Sequence, residues 1–169
     1  GFKQANMEIK DNQSMIFDGI MATTPTWKDI EFIRKNTKLP LILKGITHPS
    51  YAKKAIEFGV DGIVVSNHGG RVLDTLVTTM DILPKIVEVV DNKIPILLDG
   101  GITRGTDILK ALALGASAVM IGKPIMYGLA TAGALGVAHS LKILKDELEI
   151  AMALTGCKTL RDINKDILF

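Results

Sequence analysis

Residues 62–71 read Gly-Ile-Val-Val-Ser-Asn-His-Gly-Gly-Arg, and this stretch decides the fold. Ile63-Val64-Val65 is a short apolar run that breaks abruptly into a serine, a histidine, two glycines and an arginine. A run without polar alternation suits a strand of a parallel sheet covered on both faces. Three further runs share the form: Leu41-Ile42-Leu43-Lys44-Gly45, Ile96-Leu97-Leu98-Asp99-Gly100 and Ala118-Val119-Met120-Ile121-Gly122. Helix signals lie between them. Residues 49–58 open on Pro49 and stop before Gly59, and residues 106–114 stop before Gly115. Residues 78–90 carry Pro84, which must begin a helix or kink it. Residues 26–36 space Trp27, Ile30, Phe32 and Ile33 mostly as a helix does, and residues 136–154 form a longer helical region closed by Gly156. The pattern is a β/α repeat of four parallel strands with crossover helices.

Such an array closes in one of two ways. It is either a small open doubly wound sheet or half of an eight-stranded barrel, whose usual length of about 250 residues exceeds the 169 residues here. Periodicity does not choose between them. Both place ligand sites at the C-terminal ends of the strands, where Lys44, Ser66, His68, Arg71, Asp99 and Gly122 fall. Residues 1–25 show no clear period and are expected as a mobile loop or linker ahead of the β/α portion, residues 26–169.

A hydrophobic content of 47% and a mean hydropathy of +0.30 describe a folded chain rather than a disordered one. A net charge of +2 with no basic block leaves nucleic acid without a footprint. Cys157 is the single cysteine, which excludes an intrachain disulfide and fits a reducing compartment. No signal-peptide pattern opens the sequence, and the apolar runs stop short of the roughly 18–20 residues of a membrane span. A cytoplasmic location is the resulting expectation.

The chemistry concentrates in a few positions. His68 is of the residue type that moves protons near neutral pH, and Arg71, three positions on, can hold a carboxylate or phosphate bidentately. A surface ion pair is the plainer use of Arg71. Lys44 sits in an apolar run, as either an ion-pair partner or a functional cation. Asp99-Gly100-Gly101-Ile102-Thr103-Arg104-Gly105 joins a strand to a helix, and successive amides at such a turn make an anion site; a tight turn capped by Asp99 is the alternative. Gly122-Lys123-Pro124 repeats the theme after the last strand. His139, within a helix, reads as structural, and His48, before Pro49, as a helix-start loop residue. No dinucleotide fingerprint, P-loop, metal-ligand spacing or serine nucleophile elbow occurs, so nicotinamide and metal chemistry have no support.

These residues carry a resemblance. Leu43-Lys44-Gly45, Ser66-Asn67-His68-Gly69-Gly70-Arg71, Asp99-Gly100-Gly101, Gly105-Thr106-Asp107, Lys110 to Ala116 and Gly122-Lys123-Pro124 follow one another as in the FMN-dependent α-hydroxy-acid dehydrogenases and oxidases. The chain resembles the C-terminal half of that family across about residues 25 to 165, and the serine-to-arginine block is its most specific part. The resemblance implies the C-terminal half of a (β/α)8 barrel that binds FMN and oxidises a small 2-hydroxy acid of the lactate or glycolate type. The electrons pass on to oxygen, a quinone or a haem protein. It implies His68 as the base that takes a proton from the substrate hydroxyl or α-carbon, and Arg71 as the clamp on the substrate carboxylate. Lys44 would stabilise charge on the reduced flavin and Ser66 would contact its ring. Asp99 would hold ribityl hydroxyls, with Gly100, Gly101, Thr103, Arg104, Gly122 and Lys123 around the phosphate.

The sequence departs from the family pattern in places. Val72 stands where a glutamine is usual, Thr103 where a phosphate-binding arginine is usual (Arg104 is its neighbour), and Lys123 replaces an arginine, losing the bidentate fork. The first four β/α units have no counterpart here, so a fragment or nicked product is expected. The exposed edges of a half barrel argue against a free monomer; the full-length form is expected to be a homo-oligomer, a tetramer. Residues 1–25 match a mobile loop that some members of the family use against membranes, and its Met, Ile and Phe side chains fit that use. Two other functions compete: an FMN-barrel isomerase, which has no use for His68 beside Arg71, and a non-catalytic half-barrel that binds a partner or itself.

Overall fold

The computed structural model describes residues 14–168. They fall into two compact units that divide between Lys38 and Leu39. The expectation of a mobile loop over residues 1–25 lies outside the described residues for positions 1–13. From residue 14 on, Met15–Ile20 forms a π-helical turn whose N-cap, Ser14, accepts the Phe17 amide at 3.2 Å, and Met21–Thr23 adds a 3-10 turn. Helix α1 spans Trp27–Asn36. The Asp29 carboxylate reaches back to the Thr26 amide at 2.6 Å and the Thr26 hydroxyl at 2.8 Å, so the first turn is closed by a capping box.

The second unit holds a four-stranded sheet: β1 Ile42–Ile46, β2 Gly62–Val65, β3 Ile96–Leu98 and β4 Ala118–Val119. Its order is β1-β2-β3-β4, with every neighbouring pair parallel. This order resolves the choice the sequence leaves open. A doubly wound sheet reverses its order at a switch point, whereas a barrel adds each strand beside the last. The chain is the C-terminal half of a (β/α)8 barrel.

Helices α2 (Pro49–Glu57), α3 (Thr79–Val90) and α4 (Gly105–Ala113) connect the strands. Helix α2 starts where Pro49 is pre-organised and His48 caps it, its Nδ1 accepting the Ser50 amide at 3.2 Å. Pro84 lies inside helix α3 rather than at its start. The sheet is covered unequally. Ile63, Val65, Ile96 and Leu98 are buried beneath the helices, and Leu83, Ile86 and Val90 of α3 complete that core. The opposite row, which pairs Lys44 with Val64, Val64 with Leu97 and Leu97 with Ala118, includes partly open positions. The expectation of cover on both faces therefore holds for β2, and fails on β1, β3 and β4, where the interior row is partly open because this chain supplies half the barrel.

The last helix differs from its sequence reading. Helix α5 begins at Lys123, not at Gly136, and runs to Leu154 with a break at Ala132 and Gly133, where Gly133 takes φ +57°. Pro124 starts the first segment, and Gly128 and Gly136 let the two segments touch backbone to backbone. The second segment packs on α4 through a core of Leu109, Ala113, Ala151, Cys157 and Ile163. No helix among the described residues is long and apolar enough to cross a membrane.

Candidate active site

Three adjacent strands meet at Lys44. The side chain lies on the row that continues, one pleat further on, to Ser66 after β2 and Asp99 after β3. Its ammonium donates to the Ser66 hydroxyl at 2.9 Å and pairs with Asp99 Oδ2 at 2.7 Å. Lys44 is inside β1, at the bulge made by Gly45, rather than beyond the strand's end. Ser66 is 2% exposed and also accepts the His68 amide at 3.2 Å, so one buried hydroxyl holds both Lys44 and the start of the next loop. Asp99 is 16% exposed at its side chain, and its other oxygen, Oδ1, is buried with no hydrogen-bond partner. Such an atom costs stability unless a donor arrives.

The turn after β2 brings His68 and Arg71 together. His68 holds φ +57°, a conformation uncommon outside glycine, with the neighbouring turn fixed by Asn67, whose Oδ1 accepts the Gly69 amide at 3.1 Å. Arg71 folds back so that Nη2 lies 3.0 Å from His68 Nε2 and Nε lies 3.4 Å from the His68 carbonyl. A guanidinium only donates, so Nε2 presents its lone pair and the ring proton sits on Nδ1. Among the described residues no carboxylate pairs with Arg71.

The turn after β3 is built on two glycines with left-handed backbone, Gly100 at φ +88° and Gly101 at +78°. A side chain at Gly100 would also press on Asn67 Oδ1 at 3.0 Å. Beyond them Asp107 Oδ2 accepts the amides of Thr103 at 3.0 Å and Arg104 at 2.9 Å. Arg104 leaves this cluster: its Nη1 pairs with Glu147 Oε1 at 3.2 Å, and Glu147 Oε2 takes the Gly105 amide at 2.8 Å. The N-terminus of α4 is thus occupied by two carboxylates of the chain itself, which repel a further anion. The N-terminus of α5 has no side-chain cap, and Lys123 stands there with Nζ 3.2 Å from the Gly69 carbonyl.

These pieces share a cleft of about 550 Å³. His68, Arg71, Asp99, Gly100, Gly101, Thr103, Gly122 and Lys123 line it; Lys44 joins it through Asp99, while Ser66 and Arg104 stay outside. A model of the FMN-dependent dehydrogenase family matches residues 2–169. The chain belongs to that family. It is 56% identical over 141 residues to a peroxisomal (S)-2-hydroxyacid oxidase of Arabidopsis thaliana, covering 83% of this chain and 39% of that protein. It is 52% identical over 143 residues to an L-lactate oxidase of Nostoc, covering 85% and 39%. A crystal structure of mandelate oxidase with (S)-2-phenylpropionate superposes with a TM-score of 0.81 at 46% identity, over 83% of this chain and 42% of that one. The chain therefore spans about two-fifths of the length of these relatives.

The residues fit the cofactor that defines the family. Asp99 Oδ1 lacks a donor, and a ribityl hydroxyl is a group that would supply one. The uncapped start of α5 with Lys123 suits a phosphate, and Lys44 sets a cation beside the same carboxylate. Sequence reasoning missed several contributors. Asn67 and Thr79 brace Gly100, and Met120, Met126 and Tyr127 add an apolar wall to the cleft. Asn67 lies inside the quoted signature, where the sequence assigns it no role; Met120 reads only as part of a strand run, and Met126 and Tyr127 fall before the expected start of α5 at Gly136.

Proposed function

We propose that the protein carrying this chain uses FMN to oxidise a small 2-hydroxy acid to the 2-oxo acid. The observation that supports the reading best is the 3.0 Å contact between His68 and Arg71 at the wall of a cleft that also holds Asp99 and Lys123. FMN, when bound, would supply the two-electron acceptor, with oxygen, a quinone or a haem protein as the final acceptor. His68 Nε2 offers a lone pair to a proton leaving the substrate. Arg71 turns its fork from the imidazole to the substrate carboxylate, which fixes the reacting carbon beside the base. Lys44, held by Ser66 and Asp99, supplies a fixed positive charge where negative charge accumulates on reduction. The relatives named as oxidases support oxygen as the acceptor, and L-2-hydroxy acids such as lactate or glycolate as substrates. We extend the proposal to a homo-oligomeric, tetrameric full-length form, which the family resemblance implies; the open edges of β1 and β4 argue only against this portion standing free as a monomer.

The test is the visible spectrum of the full-length protein, recorded without oxygen before and after addition of L-lactate or glycolate. A bound flavin that bleaches supports the reading. A flavin that no 2-hydroxy acid reduces points to a redox-neutral isomerase instead, and a protein that takes up no flavin overturns the proposal.

A further inference from the structure

Thr79 is the first residue of α3 and stands outside the cleft, yet its hydroxyl acts on it. The side chain is 3% exposed, and Oγ1 donates to the Gly100 carbonyl at 3.2 Å. A buried hydroxyl takes a hydrogen-bond partner as a rule, and this one takes the Gly100 carbonyl. Here the bond crosses from the start of one helix to the turn that follows the next strand.

The recipient is a flexible point. Gly100 and Gly101 both take left-handed φ values, and two consecutive glycines without further restraint sample many orientations of the peptide between them. That peptide is planar and trans. Holding its carbonyl toward Thr79 therefore sends the Gly101 N–H the opposite way, off the buried side. Gly100 and Gly101 line the cleft, and Thr79 does not. Asn67 and Thr79 together close the space beside Gly100: a Cβ added there would meet Asn67 Oδ1 at 3.0 Å and Thr79 Oγ1 at 3.4 Å. Asn67 in turn holds the His68 turn through the Gly69 amide and reaches the Val77 carbonyl, two residues before Thr79, at 3.4 Å.

We propose that Thr79 is a positioning residue for the cofactor site: its hydroxyl locks the Gly100–Gly101 peptide so that the Gly101 amide is presented to FMN beside Asp99. The proposal rests on the FMN reading above. It assigns Thr79 no contact with substrate or cofactor, and its effect falls on flavin affinity rather than on the substrate's KM.

The experiment compares wild type, Thr79→Val, Thr79→Ala and Thr79→Ser in the full-length, flavin-depleted protein, with FMN affinity read from quenching of flavin fluorescence. Valine keeps the shape and removes the donor, so Kd is expected to rise about tenfold, the usual effect of leaving a buried carbonyl without its partner. Serine keeps the donor and is expected to stay within about twofold of wild type. Should the valine variant fail to fold, the alanine and serine variants carry the same comparison. In the flavin-free protein the Gly101 amide proton is expected to shift in the NMR spectrum of Thr79→Val and not of Thr79→Ser. Wild type that binds FMN beside a Thr79→Val protein of equal Kd overturns this proposal alone. Wild type that binds no FMN overturns the functional reading and this proposal with it.

Discussion

The Arg71 guanidinium donates to the His68 imidazole, Nη2 to Nε2, across 3.0 Å. Under the proposed function each group occupies the partner that the other would need: the lone pair that would take a proton is capped by the fork that would bind a carboxylate. A substrate carboxylate would then exchange with the imidazole and uncover the base as the clamp closes, coupling binding to proton transfer through one pair of side chains.

Arg71→Lys tests that coupling. Lysine keeps the charge and loses the planar fork, so it cannot serve the carboxylate bidentately. The expected result is a KM for the hydroxy acid raised about ten- to a hundredfold, the usual worth of a hydrogen bond to a charged group, with FMN affinity unchanged. Steady-state kinetics beside a flavin titration check both halves.

Lys44 and Asp99 make a pair whose two members differ in exposure, 44% against 16% at the side chain. Lys44→Met leaves the less exposed partner uncompensated, with Oδ1 already lacking a donor. A loss of about 1–3 kcal/mol is expected in urea unfolding. Lys44→Met combined with Asp99→Leu is expected to recover most of it, because an apolar pair replaces a charge pair at little net cost. The double variant should still fail to bind FMN with native affinity.

Much of this was legible in the chain, and the reasons are specific. The runs around Ile63, Ile96 and Val119 form strands because nothing polar interrupts them, and their C-terminal ends carry the site because each breaks into glycine. The sheet's order was not legible, since a β/α repeat feeds a barrel and a doubly wound sheet alike until β1-β2-β3-β4 is seen. Arg104 looked like a phosphate ligand beside Thr103, but Glu147, 43 residues on, claims it. That pairing depends on the docking of α5 against α4, which local sequence does not encode. The start of α5 at Lys123 is hidden by the glycines that follow, which weaken a helical pattern, while Gly128 and Gly136 are the contact surface of two helical segments.

Asp29 supplies a pH prediction. Its carboxyl lies below the ordinary aspartate value, chiefly because it accepts the Thr26 backbone amide and then the Thr26 hydroxyl. A lowered folded-state value means that the contribution is fully present above the unfolded-state value, near pH 4. It is lost as pH falls through the folded-state value. Helicity at α1, followed by circular dichroism of wild type against Asp29→Asn, is expected to separate above about pH 4 and to converge in stronger acid. Separation that grows toward low pH would contradict the capping geometry.

At Gly105 the backbone of α4 lies directly against that of α5. A Cβ there would fall on the backbone of Glu147 and Leu148, where no rotamer change can make room. Helix α5 is held at this point by the Glu147 carboxylate on the Gly105 amide, and the core of Leu109, Ala113, Ala151 and Cys157 lies further along the same interface. Gly105→Ala forces the helices apart and loosens both. The expected cost is about 3 kcal/mol, the upper part of the range for overpacking a close contact, read as a lower urea midpoint with the slope unchanged. Glu147→Ala removes the cap while leaving the approach intact, and about 1 kcal/mol is expected, the typical value of an N-terminal cap. An equal loss in both variants would mean that the carboxylate, rather than the missing side chain, sets the distance between α4 and α5.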